Sequence, residues 1–283
     1  MIAILTDSTC DIPDELIKQY DIRVVPQYII WGVEQFRDRV DMQPIEFYER
    51  LIVDAQRPTT SQATSGDFGK AIQCAVEDGA TQAMILTVSS AMSGTYEMAS
   101  RAAKDASISV RVIDSKGPTM TLGWQVLAAA RAREKGATFD EIIQEVEAVR
   151  GKMVQVVAMQ TLDYLHTGGR IGDAAKWVGS MLNVKPIVNI NHQTGRVAPL
   201  SLVRTHKALV RTLYKKFFDM VGPGTQLRIA VLHGNALTEA QALAERIRDE
   251  FNPEELLVNI TGPVLGINTG PGALALCGYA EGS

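Results

Sequence analysis

The chain has 283 residues, 46% hydrophobic and 21% charged, with a formal net charge of −4. That mixture is too apolar for intrinsic disorder, and the negative balance argues against a dedicated nucleic-acid binder. The longest uncharged apolar runs, Gln82–Val88 and Ala273–Cys277, fall far below the ~20 residues that span a bilayer, so no integral membrane segment is expected.

The opening MIAILTDS lacks a basic flank and a long apolar core, and reads as a first strand rather than a signal peptide. Ile2–Thr6 is that strand. Asp11 then offers an N-cap, with Pro13 just inside a short helix to Tyr20. Ile22–Ile30 is a β-branched and aromatic stretch interrupted by Pro26. Pro44 opens a helix through Asp54. Pro58 to Ser65 reads as a loop before a helix from Gly66 to Asp78. Ala83–Val88 is continuously apolar, as buried parallel strands are. A polar loop, Ser89–Thr95, feeds a helix to Asp105, and Val110–Ile113 is the next strand. Helices follow over Thr119–Lys135 and Thr138–Arg150, the second opened by a Thr138/Glu141 capping box.

Strand–loop–helix alternation of this kind predicts a parallel sheet covered on both faces, with ligands beyond the carboxyl ends of the strands. Here those ends carry Thr6-Asp7-Ser8, Ser89-Ser90 and Asp114-Ser115. The second half changes character. Met153–Met159 is a strand, and Leu162–His166 is a short helix stopped by Gly168-Gly169. Ala174–Leu182 reads as a helix with Trp177, Val178 and Met181 on one face. Val184–Asn191 and Arg196–Val203 flank a hairpin turn. A helix over Thr205–Val221, a strand at Leu227–His233, a helix over Thr238–Phe251 and a strand at Leu256–Ile260 precede a glycine-rich loop, Gly262–Gly272, and a last strand. The fold class is therefore α/β with two domains, residues 1–151 around a parallel sheet and 152–283 around a mixed sheet.

Several chemistries lack their residues. No GxxxxGK[ST] phosphate loop, GxSxG elbow or HExxH pair occurs. The three cysteines, Cys10, Cys74 and Cys277, have no CxxC spacing, which fits a reducing cytoplasm better than disulfides or a zinc ribbon. No metal or cofactor is expected. Charge is unevenly spread: His166–Lys216 holds nine Lys/Arg and one acid, Asp173, so this stretch is set to meet something anionic. It has only Trp177 and Tyr214 to stack bases, against a single-strand nucleic-acid site. Two hydroxyl-rich segments, Pro58-Thr59-Thr60-Ser61-Gln62-Ala63 and Ser89 to Tyr96, each place hydroxyls and backbone N–H groups just before a helix, an arrangement that suits either an oxyanion site or a structural helix cap. An alternative reading keeps Asp7 and Asp114 as the carboxylates of a metal-assisted phosphotransfer or hydrolase subunit.

Thr6-Asp7-Ser8-Thr9, Thr60-Ser61-Gln62, Ser90-x-x-Ser93-Gly94-Thr95-Tyr96, Asp114-Ser115-Lys116, Leu162-x-Tyr164-Leu165-x-x-Gly168-Gly169-Arg170-Ile171, Lys185-Pro186-Ile187, Arg204-Thr205 and Thr269-Gly270-Pro271-Gly272-Ala273 together resemble the DegV family along essentially the whole chain. Those are bacterial fatty-acid-binding proteins that act as FakB-type subunits of fatty acid kinase. The resemblance implies a long-chain fatty acid at the domain junction, and a separate ATP-dependent kinase that converts its carboxylate to an acyl phosphate for phospholipid synthesis in the cytoplasm. The chain itself would then be a binding protein and no enzyme. By position, Thr60, Ser61, Ser93, Gly94 and Asn268 would bind the carboxylate, and Arg170 and Arg204 would face the phosphoryl group or the kinase. Two positions depart from the family pattern. Asn268 stands where a histidine is usual, and an amide donates a hydrogen bond but carries no proton. Ala63 replaces the proline usual after Thr-Ser-Gln.

Overall fold

The computed structural model describes residues 1–177, 184–222 and 226–281. Among these, the chain begins with β1 (Ile2–Asp7), a 3-10 turn at Ser8–Cys10, α1 (Asp14–Gln19) and β2 (Ile22–Val25). It next builds a small antiparallel sheet from β3 (Tyr28–Trp31), β4 (Glu34–Arg37) and, after α2 (Pro44–Val53), β5 (Thr59–Ser61). The elements α3 (Ser65–Glu77), β6 (Gln82–Thr87), α4 (Thr95–Lys104), β7 (Ser109–Asp114), α5 (Met120–Glu134) and α6 (Phe139–Lys152) complete the first half. Strands β2-β1-β6-β7 form a wholly parallel sheet, with Ile4 flanked by Ile22 and Met84. Its two inner strands are buried on both faces, which is why they read as unbroken apolar runs.

The second half runs β8 (Val154–Ala158), α7 (Asp163–Thr167), a 3-10 segment at Gly172–Trp177, β9 (Lys185–Asn191), β10 (Arg196–Val203), α8 (His206–Val221), β11 (Gln226–His233), α9 (Leu237–Phe251), β12 (Glu255–Ile260), α10 (Pro263–Thr269) and β13 (Leu274–Glu281). The sheet order is β10-β9-β8-β13-β11-β12, and only the β11–β12 pair is parallel. This is the mixed sheet expected.

Five sequence expectations are corrected. Ile22–Ile30 is two strands in two different sheets, because Pro26 removes a ladder donor where the chain changes direction. Part of the Pro58–Ser65 loop is strand β5, paired with β3. The glycine-rich segment before the last strand contains helix α10, with Pro263 at its first position and Gly270 closing it in a left-handed conformation (φ 73°). Asp11 caps no helix: α1 starts at Asp14 with Pro13 as its N-cap. The predicted helix at Ala174–Leu182 is a 3-10 segment as far as Trp177, and Val178 to Leu182 lie outside the described residues.

The first eleven residues of α5 are buried all round, as befits a helix packed on every side. This helix ties the halves together. Trp124 Nε1 donates to the Cys277 carbonyl at 3.2 Å, and Thr121 Oγ1 donates to Gln155 Oε1 at 2.6 Å. Buried Asp11 accepts from Arg39 Nη2 at 2.6 Å and from the Gly262 amide at 2.9 Å, while Arg39 also donates to the Ile260 carbonyl. Asn259 Nδ2 in turn donates to the Asp11 carbonyl at 2.8 Å. One apolar cluster therefore runs from Ile4 and Met84 through Trp124 to Val157 and Cys277 without a break between the two sheets.

Candidate functional site

A cavity opens within that continuous core, between the two halves. The space free of protein atoms is about 990 Å³, counted out through its mouth and including open solvent. Val88, Met92 and Pro118 line it from the first half, and Val157, Val188, Ile190 and Ala275 from the second. Two of the buried polar groups in this wall, Gln155 and Thr9, are bonded within the protein. Gln155 Nε2 donates to Thr119 Oγ1 at 3.0 Å, and Thr9 Oγ1 donates to Asp7 at 2.6 Å. Thr119 itself has φ 55°, a left-handed conformation uncommon for a β-branched residue. Strain of this kind costs about 1–3 kcal/mol and persists where packing on all sides fixes it.

Polar side chains gather where the cavity meets solvent. Thr60, Ser61 and Gln62 reach it from β5 and the residue after it, and Ser93 from the turn before α4. The Thr60 segment does not sit at a helix start. Thr64 and Asp67 form a capping box that closes the N-terminus of α3, so hydroxyls alone remain to meet a ligand there. Gly94 is the N-cap of α4 and has no side chain to cap it, while Ser93 Oγ accepts from the Thr95 amide at 3.4 Å. A Cβ on Gly94 would lie 3.2 Å from Gln62 Nε2, so glycine lets the two segments approach.

Between them lies Gln27, 2% exposed, which motif reading missed. The Ala63 amide donates to its Oε1 at 2.9 Å, and its Nε2 donates to Thr95 Oγ1 at 2.9 Å. The Thr95 and Ser93 hydroxyls are 2.8 Å apart. No sequence signal marks Gln27, because its partners are 36 and 68 residues away.

An outer cleft, about 1,060 Å³ including open solvent, continues the cavity outward and shares Thr60, Arg170 and Asn268 with it. These three residues thus stand at the neck. Exposed Arg170 donates from Nη1 to the Gly168 carbonyl at 2.6 Å and from Nε to the Met92 carbonyl at 3.3 Å. Asn268 Nδ2 donates to the Val264 carbonyl at 3.0 Å within α10, and its Oδ1 has no hydrogen-bond partner among the described residues. A Cβ on Gly168 would lie 2.2 Å from that oxygen, and one on Gly270 2.3 Å from the Tyr164 ring. The two glycine motifs, a hundred residues apart in sequence, therefore pack directly on each other. Arg57 closes the cleft opposite, its guanidinium 4.8 Å from the Tyr164 ring centre.

The remaining expected residues lie elsewhere. Arg204 is exposed after β10 and lines neither space. Asp7 and Asp114 are not brought together. Asp7 is buried and accepts from the Thr9 and Val88 amides, tying the ends of β1 and β6. Burial pushes its carboxyl up. Asp114 lies in a separate surface groove, where it accepts from the Ser90 and Lys116 amides and pairs with Lys116 at 2.8 Å. Those bonds hold its carboxyl low against the opposing effect of burial. Among the described residues no group of three or more His, Cys, Asp or Glu is arranged to hold a metal ion.

Comparison with known proteins agrees along the full length. The sequence model of the family described as "Uncharacterised protein, DegV family" matches residues 1–281. A DegV domain-containing protein from Streptomyces coelicolor is 36% identical over 280 residues, 97% of each chain. The solved structure of a fatty-acid-binding DegV family protein from Thermus thermophilus superposes with a TM-score of 0.92 at 30% identity, covering 99% of both chains. A stearic acid-binding protein from Eubacterium ventriosum superposes with a TM-score of 0.90 at 25% identity, again over 99% of both.

Proposed function

Because the chain belongs to the DegV family, we propose that its cavity holds one long-chain fatty acid. The carrying observation is the cavity itself, an apolar space between the halves whose neck is polar. A tail of roughly 16 carbons gains on the order of 0.8 kcal/mol per buried CH2, about 10 kcal/mol before the costs of association. Affinity therefore resides in the tail, and neutral hydroxyls suffice to orient the head.

In this reading Thr60, Ser61 and Ser93 donate to the carboxylate, Gly94 lets their segments meet, and Asn268 offers its second amide hydrogen. Arg170 stands at the neck, where a γ-phosphate approaches from the outer cleft. The bound carboxylate is then presented to a separate ATP-dependent fatty acid kinase, and the acyl phosphate feeds phospholipid synthesis in the cytoplasm. Arg204, outside the cavity, is assigned to the kinase-facing surface along with the exposed cations of the His166–Lys216 stretch.

The test is mass spectrometry of an organic extract of the purified protein. One long-chain fatty acid per molecule is expected. An extract without fatty acid, together with no binding in titration, overturns the reading.

A further inference from the structure

We infer that Gln27 is the positioning residue that holds the Thr60 and Ser93 segments in register, so that both hydroxyls reach the two oxygens of one carboxylate. The inference rests on the fatty-acid reading above and adds a residue that touches the head group only through others.

All four polar groups of Gln27 are engaged. Its amide donates to Ser8 Oγ at 3.1 Å, and its carbonyl accepts from the Asp38 amide at 2.9 Å. These bonds fix the backbone where the chain passes from β2 to β3. The side chain then spans the gap between the two hydroxyl segments. Its Oε1 takes the Ala63 N–H, three residues beyond Thr60, and its Nε2 reaches Thr95, two residues beyond Ser93. The orientation of the amide is determined, since a backbone N–H can only donate and must face the oxygen. Thr95 is fully buried, and the acceptor within reach of its hydroxyl is Ser93 Oγ. With Thr95 donating, the Ser93 proton is left for the ligand. The brace needs a residue with an N–H at position 63, which alanine supplies and proline would not.

A carboxylate offers two acceptor oxygens and engages both segments. A fatty alcohol offers one oxygen and needs only one of them. Loss of register therefore weakens the acid and spares the alcohol. The measurement is displacement of a fluorescent long-chain fatty acid by palmitic acid or by 1-hexadecanol at pH 8, with urea unfolding of each variant as the control for folding. In Gln27→Met the preference for acid over alcohol is expected to narrow about fivefold, the net worth of one ordinary hydrogen bond. Thr95→Val removes the other arm of the brace and is expected to narrow it equally. The double variant is expected to match either single one, because both act through one connection.

Equal loss of acid and alcohol makes Gln27 a merely structural residue and overturns the inference. So does a loss in Gln27→Met that Thr95→Val does not share, which places Gln27 on the carboxylate directly. Additive losses in the double variant overturn it as well. If the unaltered protein binds neither palmitic acid nor the probe, the fatty-acid reading itself has failed and this inference falls with it.

Discussion

Asp38→Asn is expected to change how stability depends on pH. Asp38 is 1% exposed and accepts from Ser8 Oγ at 2.7 Å. Beside it lie one other carboxylate, Asp11, and one guanidinium, Arg39, which is committed to Asp11 at 2.6 Å. Burial outweighs the help from Arg39 and Ser8, and pushes the Asp38 carboxyl from its ordinary 3.8 up to about 7. Below pH 4 the group is protonated folded or unfolded, and its contribution is fully present. Between pH 4 and 7 the folded chain keeps a proton that the unfolded chain has released, so stability falls as pH rises. Above pH 7 both forms are ionised and the loss is complete. Three units at ~1.36 kcal/mol each put the whole change at about 4 kcal/mol. Asparagine cannot titrate, so the Asp38→Asn variant is expected to overtake the unaltered protein progressively across that window. Urea unfolding of both delipidated proteins at pH 4.5, 5.5, 6.5 and 8 measures the gap. Two parallel stability curves would show that Asp38 is ionised throughout and that burial does not dominate its environment.

Three further outcomes bear on the neck. Ser93→Ala removes one charge-assisted hydrogen bond, worth ~1.5–3 kcal/mol, so fatty-acid affinity is expected to fall about 10- to 100-fold in titration with the fold retained; unchanged affinity places the carboxylate elsewhere. Arg170→Ala is expected to keep bound lipid and slow acyl phosphate formation with a cognate kinase, and loss of the lipid instead makes Arg170 a carboxylate ligand. Asn268→His restores a titratable group and is expected to raise the acyl phosphate rate at neutral pH, with a new inflection near ~6.5. Identical rate–pH profiles for both forms confine this position to shape and one hydrogen bond.

The parallel sheet was legible because buried strands must be apolar on both faces, and β1 and β6 show it directly in Ile2–Thr6 and Ala83–Val88. Capping boxes marked α6 equally well, through Thr138 and Glu141. What resisted reading depended on partners distant in sequence. Asp11 looks like a helix cap until Arg39 and Gly262 are seen around it. Glycine and proline around α10 suggest a loop, although Pro263 and Gly270 occupy the two positions where a helix favours them. Thr60 and Ser93 stood out in hydroxyl-rich segments, Arg170 and Asn268 were marked only by the family resemblance, and the structure brings all four to one cavity. Gln27 carries no such mark, and only the two segments it joins reveal it.

The position of β13 has a consequence for how the protein is made. This strand lies between β8 and β11, in the middle of its sheet, yet among the strands described it is synthesised after all the others. Ala273, Leu274 and Ala275, at its start, form part of the cavity wall. On the ribosome the first half has all its strands once residue 114 has emerged, and domains fold in that order during synthesis. The second half must wait with the β8 and β11 edges unpaired until the final strand inserts between them. A nascent chain paused before residue 273 thus presents two open apolar edges and an unfinished cavity wall. The interval before that strand inserts is when these edges are most open to pairing with another chain.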